Sequence, residues 1–205
     1  MKKVSAGLLT VLFLGVSAGA WAAEGCTVNN VLGDAMVMRE GKEMAAKKGD
    51  ALMKGDGIKT SPTCQVDMSM NNLAGCRVLS GTEVKVMGWK PENMSLKVES
   101  GNVILNLKEL PAKSSFRVET PTAVATVRGT QFWGRVNPSA DSTVTTFAVK
   151  KGSVEILPVG IAETKPILLA PGDAVDISPA GAQTRKALPE EMAAMEQADQ
   201  VPNEA

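Results

Sequence analysis

The chain has 205 residues, with 22 basic and 22 acidic side chains, 44% hydrophobic residues, three tryptophans, four phenylalanines and neither histidine nor tyrosine. Without histidine there is no Ser–His chemistry and no His-ligated zinc site. The balanced charge gives no counterion-release drive toward nucleic acid and no attraction to an anionic membrane.

Lys2 and Lys3, the apolar run from Leu8 to Val16 and the small-residue exit Ala20-Trp21-Ala22 have the layout of a secretory signal, which predicts cleavage after Ala22. The run falls short of the ~20 apolar residues that span a bilayer. Residues 1–22 are therefore expected to be removed, 23–185 to form one β domain, and 186–205 to form a helix and tail. The mature chain is expected in the periplasm with no membrane span. An oxidising compartment gives Cys26, Cys64 and Cys76 one bridge and one free thiol. In a hairpin that sets Met70 opposite Cys76, Cys64 stands roughly 20 Å away, and bridged Cα atoms lie within ~7 Å. Cys26 bridging to one of the other two is the expected pairing, and buried unpaired thiols are the alternative.

From Thr27 to Ser178 the chain is a succession of period-two runs, such as Val66, Met68 and Met70, then Val103, Leu105 and Leu107, then Ala123, Ala125 and Val127. This spacing predicts 12 to 15 short strands. With no long helical stretch between them, it points to an all-β fold, a two-sheet antiparallel sandwich or roll. Gly49-Asp50, Gly55-Asp56 and Gly172-Asp173 each precede an apolar alternation and read as corners, since glycine accepts positive φ and aspartate bonds nearby backbone donors.

The run Ser115 to Phe132 is the most distinctive. Phe116 and Val118 share a face, Pro121 ends ladder donation, Ala123 and Ala125 admit a close opposing sheet, and Gly129 permits a turn or bulge. Arg128 stands among small apolar neighbours. The expected role is an ion pair or carbonyl clamp holding the Gly129 turn, with contact to a partner or anionic ligand as the alternative. Trp133 follows the inward-facing Phe132, so it points outward, on an open face or under a C-terminal helix. With Trp89 it is the candidate anchor for a protein partner or for glycan stacking.

Pro189, Glu190 and Glu191 at a helix start predict a short C-terminal helix of 11 to 12 residues, with Leu188, Met192 and Met195 on one stripe. Met36 with Met38, Met68 with Met70, and Met192 with Met195 would suit Cu(I), but core filling is the reading adopted. Nothing in the sequence converges Glu99, Glu109, Glu119 or Glu155 into an acid pair. No catalysis, metal or cofactor is expected.

Taken together, Lys48-Gly49-Asp50-Ala51-Leu52, Gly55-Asp56-Gly57-Ile58-Lys59-Thr60, Thr120-Pro121-Thr122-Ala123, Arg128-Gly129-Thr130-Gln131-Phe132, Lys151-Gly152-Ser153-Val154-Glu155 and Leu169-Ala170-Pro171-Gly172-Asp173 resemble the FecR-type periplasmic domain. The resemblance runs from about Val31 to Ile177. It implies an all-β domain that works by binding, in a family whose best-understood members relay the state of an outer-membrane transporter to a sigma factor. The chain is similar to the stand-alone secreted versions, with no anti-sigma or transporter-contacting part. The expected function is a non-enzymatic protein-binding or scaffolding module of the cell envelope, with Arg128, Gly129, Thr130, Trp133 and Trp89 as structural or partner-contact candidates. The alternative is a glycan- or peptidoglycan-associated protein.

Overall fold

The computed structural model describes residues 25–140, 142–161 and 165–203, and the expected export signal lies outside them. In chain order the strands are β1 (Cys26–Leu32), β2 (Ala35–Arg39), β3 (Lys42–Ala45), β4 (Ala51–Leu52), β5 (Gly57–Thr60), β6 (Gln65–Met70), β7 (Ala74–Val78) and β8 (Glu83–Gly88). There follow β9 (Met94–Leu107), β10 (Phe116–Glu119), β11 (Ala123–Pro138), β12 (Thr143–Pro158), β13 (Ile167–Leu169), β14 (Asp173–Ser178) and β15 (Gly181–Lys186). The helix α1 (Pro189–Glu196) runs into a 3-10 turn, Gln197–Gln200.

Short alternating strands dominate, as the spacing predicts, but β9, β11 and β12 are 14, 16 and 16 residues long. Their length folds one continuous ladder into two layers. The first half of β9 lies between β8 and β10, and its second half between β7 and β11. Likewise β12 meets β13 with its last third and β14 with its first. One layer therefore runs β3-β2-β5-β8-β9-β10-β11-β12-β13, and the other β4-β1-β6-β7-β9-β11-β12-β14-β15. Strands that bend from one sheet into the other are a known way of closing a sandwich corner. Pairing is antiparallel except between β9 and β10.

The inner faces share one core in which Phe116, Phe132 and Phe147 are fully buried, each contributing roughly 1.5–3 kcal/mol. Thr122 and Thr120 at the start of β11 bond the Thr145 hydroxyl of the opposite layer at 2.7 and 3.1 Å, which closes one end with satisfied polar groups.

The three Gly-Asp pairs form the same turn. Gly49, Gly55 and Gly172 have φ of 91°, 96° and 82°. Each following aspartate accepts the backbone N–H three residues earlier: Asp50 from Lys47 at 2.8 Å, Asp56 from Met53 at 2.7 Å and Asp173 from Ala170 at 3.3 Å. The β6–β7 hairpin is tighter than expected, because Asn71 and Asn72 both take positive φ. Met68, and not Met70, therefore faces Cys76, and Gly75 is a strand residue opposite Ser69.

At the bend of β11 the register against β12 shifts between Arg128 and Gln131. Gly129 and Gly152 take φ of 60° and 80°. A Cβ on Gly152 would stand 2.6 Å from the Gly129 carbonyl oxygen and 2.8 Å from Thr130 Oγ1. The same Cβ at Gly160, also at φ 80°, meets nothing within 4 Å. Gly152→Ala should therefore destabilise the protein by about 2 kcal/mol more than Gly160→Ala, which urea unfolding of the two variants measures. Equal losses would show that the close approach at the bend carries no cost.

Candidate functional site

The Arg128-Gly129-Thr130 segment makes this bend and lines a cleft. Thr130 is fully buried, and its hydroxyl lies 3.0 Å from the carbonyl oxygens of both Arg128 and Ser153. This hydroxyl and the glycine pair hold the corner. Arg128, expected to clamp it through an ion pair, is instead exposed and has no hydrogen bond or ion pair among the described residues. The alternation along β11 turns position 128 to the outer face, where water solvates the guanidinium.

Trp133 does point outward, and the C-terminal segment covers it. Trp133 is 6% exposed and packs with Ile104, Ala148 and Ala174 under Met195, Ala198 and Val201. The expected helix is eight α residues followed by the 3-10 turn, and Leu188 of its predicted stripe is exposed. An element this short is marginal alone, so docking holds it as a strap. Arg185 bonds Glu191 at 2.6 and 2.8 Å and Asp176 at 2.7 and 3.2 Å. Lys150 reaches Asp199 at 2.8 Å, and Asn106 donates to the Val201 carbonyl at 3.2 Å. Beneath the strap, Arg77 and Asp67 form a buried two-pronged pair at 2.7 and 3.0 Å. Trp89 is elsewhere. It is half-buried against the main core, with its carbonyl taking an N–H from Asn71, so the two tryptophans do not form one stacking surface.

Cys26, Cys64 and Cys76 are free and buried, which corrects the expected bridge from Cys26. β6 lies between β1 and β7, and Cys26 and Cys76 are opposite Met70 and Met68, so they are about 12 Å apart, two strand spacings across and two residues along. Cys26 faces Met70, far along β6 from Cys64. Burial pushes the Cys26 thiol up to about 12, and burial with neighbouring Cys26 and Asp67 pushes Cys76 up too. Met68 and Met70 fill the core. Among the described residues no cluster of three or more His, Cys, Asp or Glu side chains is placed for a metal, and Glu99 is committed to Lys85 and Lys97.

Two surfaces escaped the sequence reading. Lys151, Glu109 and Asn203 complete the cleft at the Arg128 corner, and three distant segments supply them, so no local pattern announces them. The other surface is the edge strand β13, which pairs only with β12 among the described residues. Leu168 on it is 70% exposed, across from Glu155, and Leu157 near the end of β12 and Val159 just past it are 43% and 47% exposed. The unalternating run Ile167-Leu168-Leu169 was the available signal, since one of three consecutive apolar residues must face out of the sheet.

The model of the FecR protein family matches residues 56–155. No curated protein matches the chain. Two crystal structures of a Parabacteroides distasonis protein, provisionally named an anti-sigma factor, resemble it with a TM-score of 0.57 and 16% identity. The likeness covers 69% of this chain and 64% of that one, and at this identity it speaks for the fold. Among the described residues no helix is long and apolar enough to cross a membrane.

Two outcomes follow from this geometry. The three thiols should resist Ellman's reagent in the folded protein and react on unfolding; fewer than three after denaturation without reductant would reveal a bridge. The strap should be sensitive to acid. Burial raises Glu191 of the strap, but hydrogen bonds from Arg185 of the sheet, with help from the Leu188 N–H, outweigh it and hold it below the ordinary carboxylate range. A carboxylate held low in the docked form stabilises docking in full above the ordinary range, and that contribution is lost as pH falls below it and through the lowered value. Trp133 emission, read in a Trp21→Phe, Trp89→Phe background, should shift red in acid before the sheet unfolds. Gly75→Ala should give the same shift at neutral pH, because its Cβ would stand 2.3 Å from the Pro202 carbonyl oxygen.

Proposed function

We propose that this chain, which carries a FecR-family domain at residues 56–155, is a non-catalytic protein-binding module of the bacterial envelope, signalling-related and exported to the periplasm. The reading of export rests on the basic, apolar and small-residue layout of residues 1–22. The signalling relation rests on the family match.

The observation that carries the binding role is the β13 edge. An exposed strand edge offers unpaired backbone groups that a partner strand can join, and exposed aliphatic side chains on it and near it favour burial on contact. Leu168, Leu157 and Val159 supply them here. The edge is three residues long, which suits a switchable contact better than a permanent one.

A photo-crosslinking residue at position 168, in cells making the full chain, should trap a discrete envelope protein. The same residue at Glu43, exposed on the edge strand β3 of the same layer, should not. Leu157→Lys should abolish the product without lowering the melting temperature. Equal products from positions 43 and 168, or a chain retained in the cytoplasm with residues 1–22 attached, would overturn the proposal.

A further inference from the structure

The strap lies on a floor that the sheet builds without it. One register line crosses six strands: Arg185 of β15, Ala174 of β14, Ala148 of β12, Trp133 of β11, Ile104 of β9 and Arg77 of β7 stand opposite one another in turn. The outer face of an antiparallel sheet usually meets water and is polar. Here four apolar residues stand in a row with an arginine at each end. The two alanines leave the floor shallow beside Trp133, and Gly75 on the same face of β7 lets the chain above come so close that a Cβ there would meet the Pro202 carbonyl oxygen.

The strap is separable from the body beneath it. Among the described residues the main core contains no strap side chain, and Met195, Ala198 and Val201 belong to a second cluster formed with the floor. α1 is eight residues long, Leu188 at its N-cap offers no side-chain acceptor, and its last turn carries no cation. Docking therefore holds the helix in shape. Its seat is a pattern of charge. Arg185, which Asp176 also engages, donates to Glu191 at 2.6 and 2.8 Å, while Lys150 and Gln131 each donate to Asp199 at 2.8 Å. Arg77, balanced by Asp67, reaches the Gln200 carbonyl at 3.5 Å, where the helical segment ends and its carbonyls carry negative partial charge.

The floor thus reads a short helix by a definite pattern: an acid in the first turn, apolar residues four, seven and ten positions later, and a second acid at the eighth, as in Glu191, Met195, Ala198, Val201 and Asp199. Apolar anchors at such spacings, laid into a groove, are a recurring mode of helix recognition. Nothing in the pattern requires the helix to belong to the same chain, because the floor and its cations sit on strands that the shared ladders fix in place. We propose that the Trp133 row is a docking groove for an acidic amphipathic helix of a partner protein, and that the strap is a built-in occupant which the partner displaces. Between engagements the strap keeps the tryptophan row from water, where an open apolar patch would invite aggregation.

The test uses the full chain with a nitroxide at Ala193→Cys, an exposed strap position; the three native thiols are buried and do not take the label. Two acetylated and amidated peptides are titrated in. One has the sequence of residues 188–203 and stands in for the partner helix; the other carries Glu191→Lys and Asp199→Lys. A tethered segment competes at an effective concentration on the order of millimolar, so the first peptide should turn the nitroxide from ordered to mobile, saturably, in that range. Glu191→Gln in the chain takes an anchor from the strap and leaves the groove intact, and should lower the peptide concentration needed about tenfold. The charge-reversed peptide should leave the nitroxide ordered. A nitroxide that stays ordered throughout, or that answers both peptides equally, would overturn the proposal. Light scattering on the Glu191→Gln chain reads the rival occupant: a monomer supports an external helix, whereas a dimer would mean that straps exchange between copies and would overturn the assignment to a foreign partner. Because the peptides and variants leave Leu157 and Leu168 untouched, failure here does not bear on the β13 reading, nor success confirm it.

Discussion

β11 and β12 carry their hydrogen-bonded ladder from one layer into the other because, at the bend, the Gly129 carbonyl, the Thr130 hydroxyl and Gly152 occupy space that a Cβ cannot share. The two glycines supply the left-handed backbone, and the buried hydroxyl, 3.0 Å from two carbonyl oxygens, covers groups that the broken register would otherwise leave bare. An unsatisfied buried carbonyl costs about 1–3 kcal/mol, so the threonine at this point is as necessary as the glycines. From that bend follow the shared core, the outward turn of Arg128 and the cleft beside it.

The surfaces on either side of the corner serve different ends. The outer face around Ile104, Trp133, Ala148 and Ala174 is apolar and closed by the chain's own strap. The β13 edge carries exposed leucines. The cleft is polar, lined by Arg128, Lys151 and Glu109. The large side chains that would make a glycan platform are divided between a covered site and a half-buried one, whereas the aliphatic edge is open. The accessible large apolar side chains therefore lie on a strand edge and not on an aromatic platform.

Much of this was legible from the residues. Alternation at Val103, Leu105 and Leu107 and at Ala123, Ala125 and Val127 marks faces that are buried. The Gly-Asp pairs are turns because their aspartates bond backward, and Pro189 opens the helix. What escaped was anything set by partners distant in sequence. Period-two spacing reports which face a residue takes and says nothing of when its neighbouring strand changes, so β9, β11 and β12 read as several short strands each. The cysteine expectation failed on strand order, since β6 separates β1 from β7, while two asparagines in left-handed conformation shortened the hairpin and moved its register by two residues. Arg128 misled because small neighbours in sequence are not its neighbours in space.

The sharing of β9, β11 and β12 between both layers has a mechanical result. Layers joined only by loops can swing apart or slide, but here any hinge would have to break three continuous ladders at once. Among the described residues the two layers are thus tied into one block. Information that passes through this protein must be carried by what is attached to the block, the strap at one face and whatever binds at its rim, while the block keeps their spacing constant.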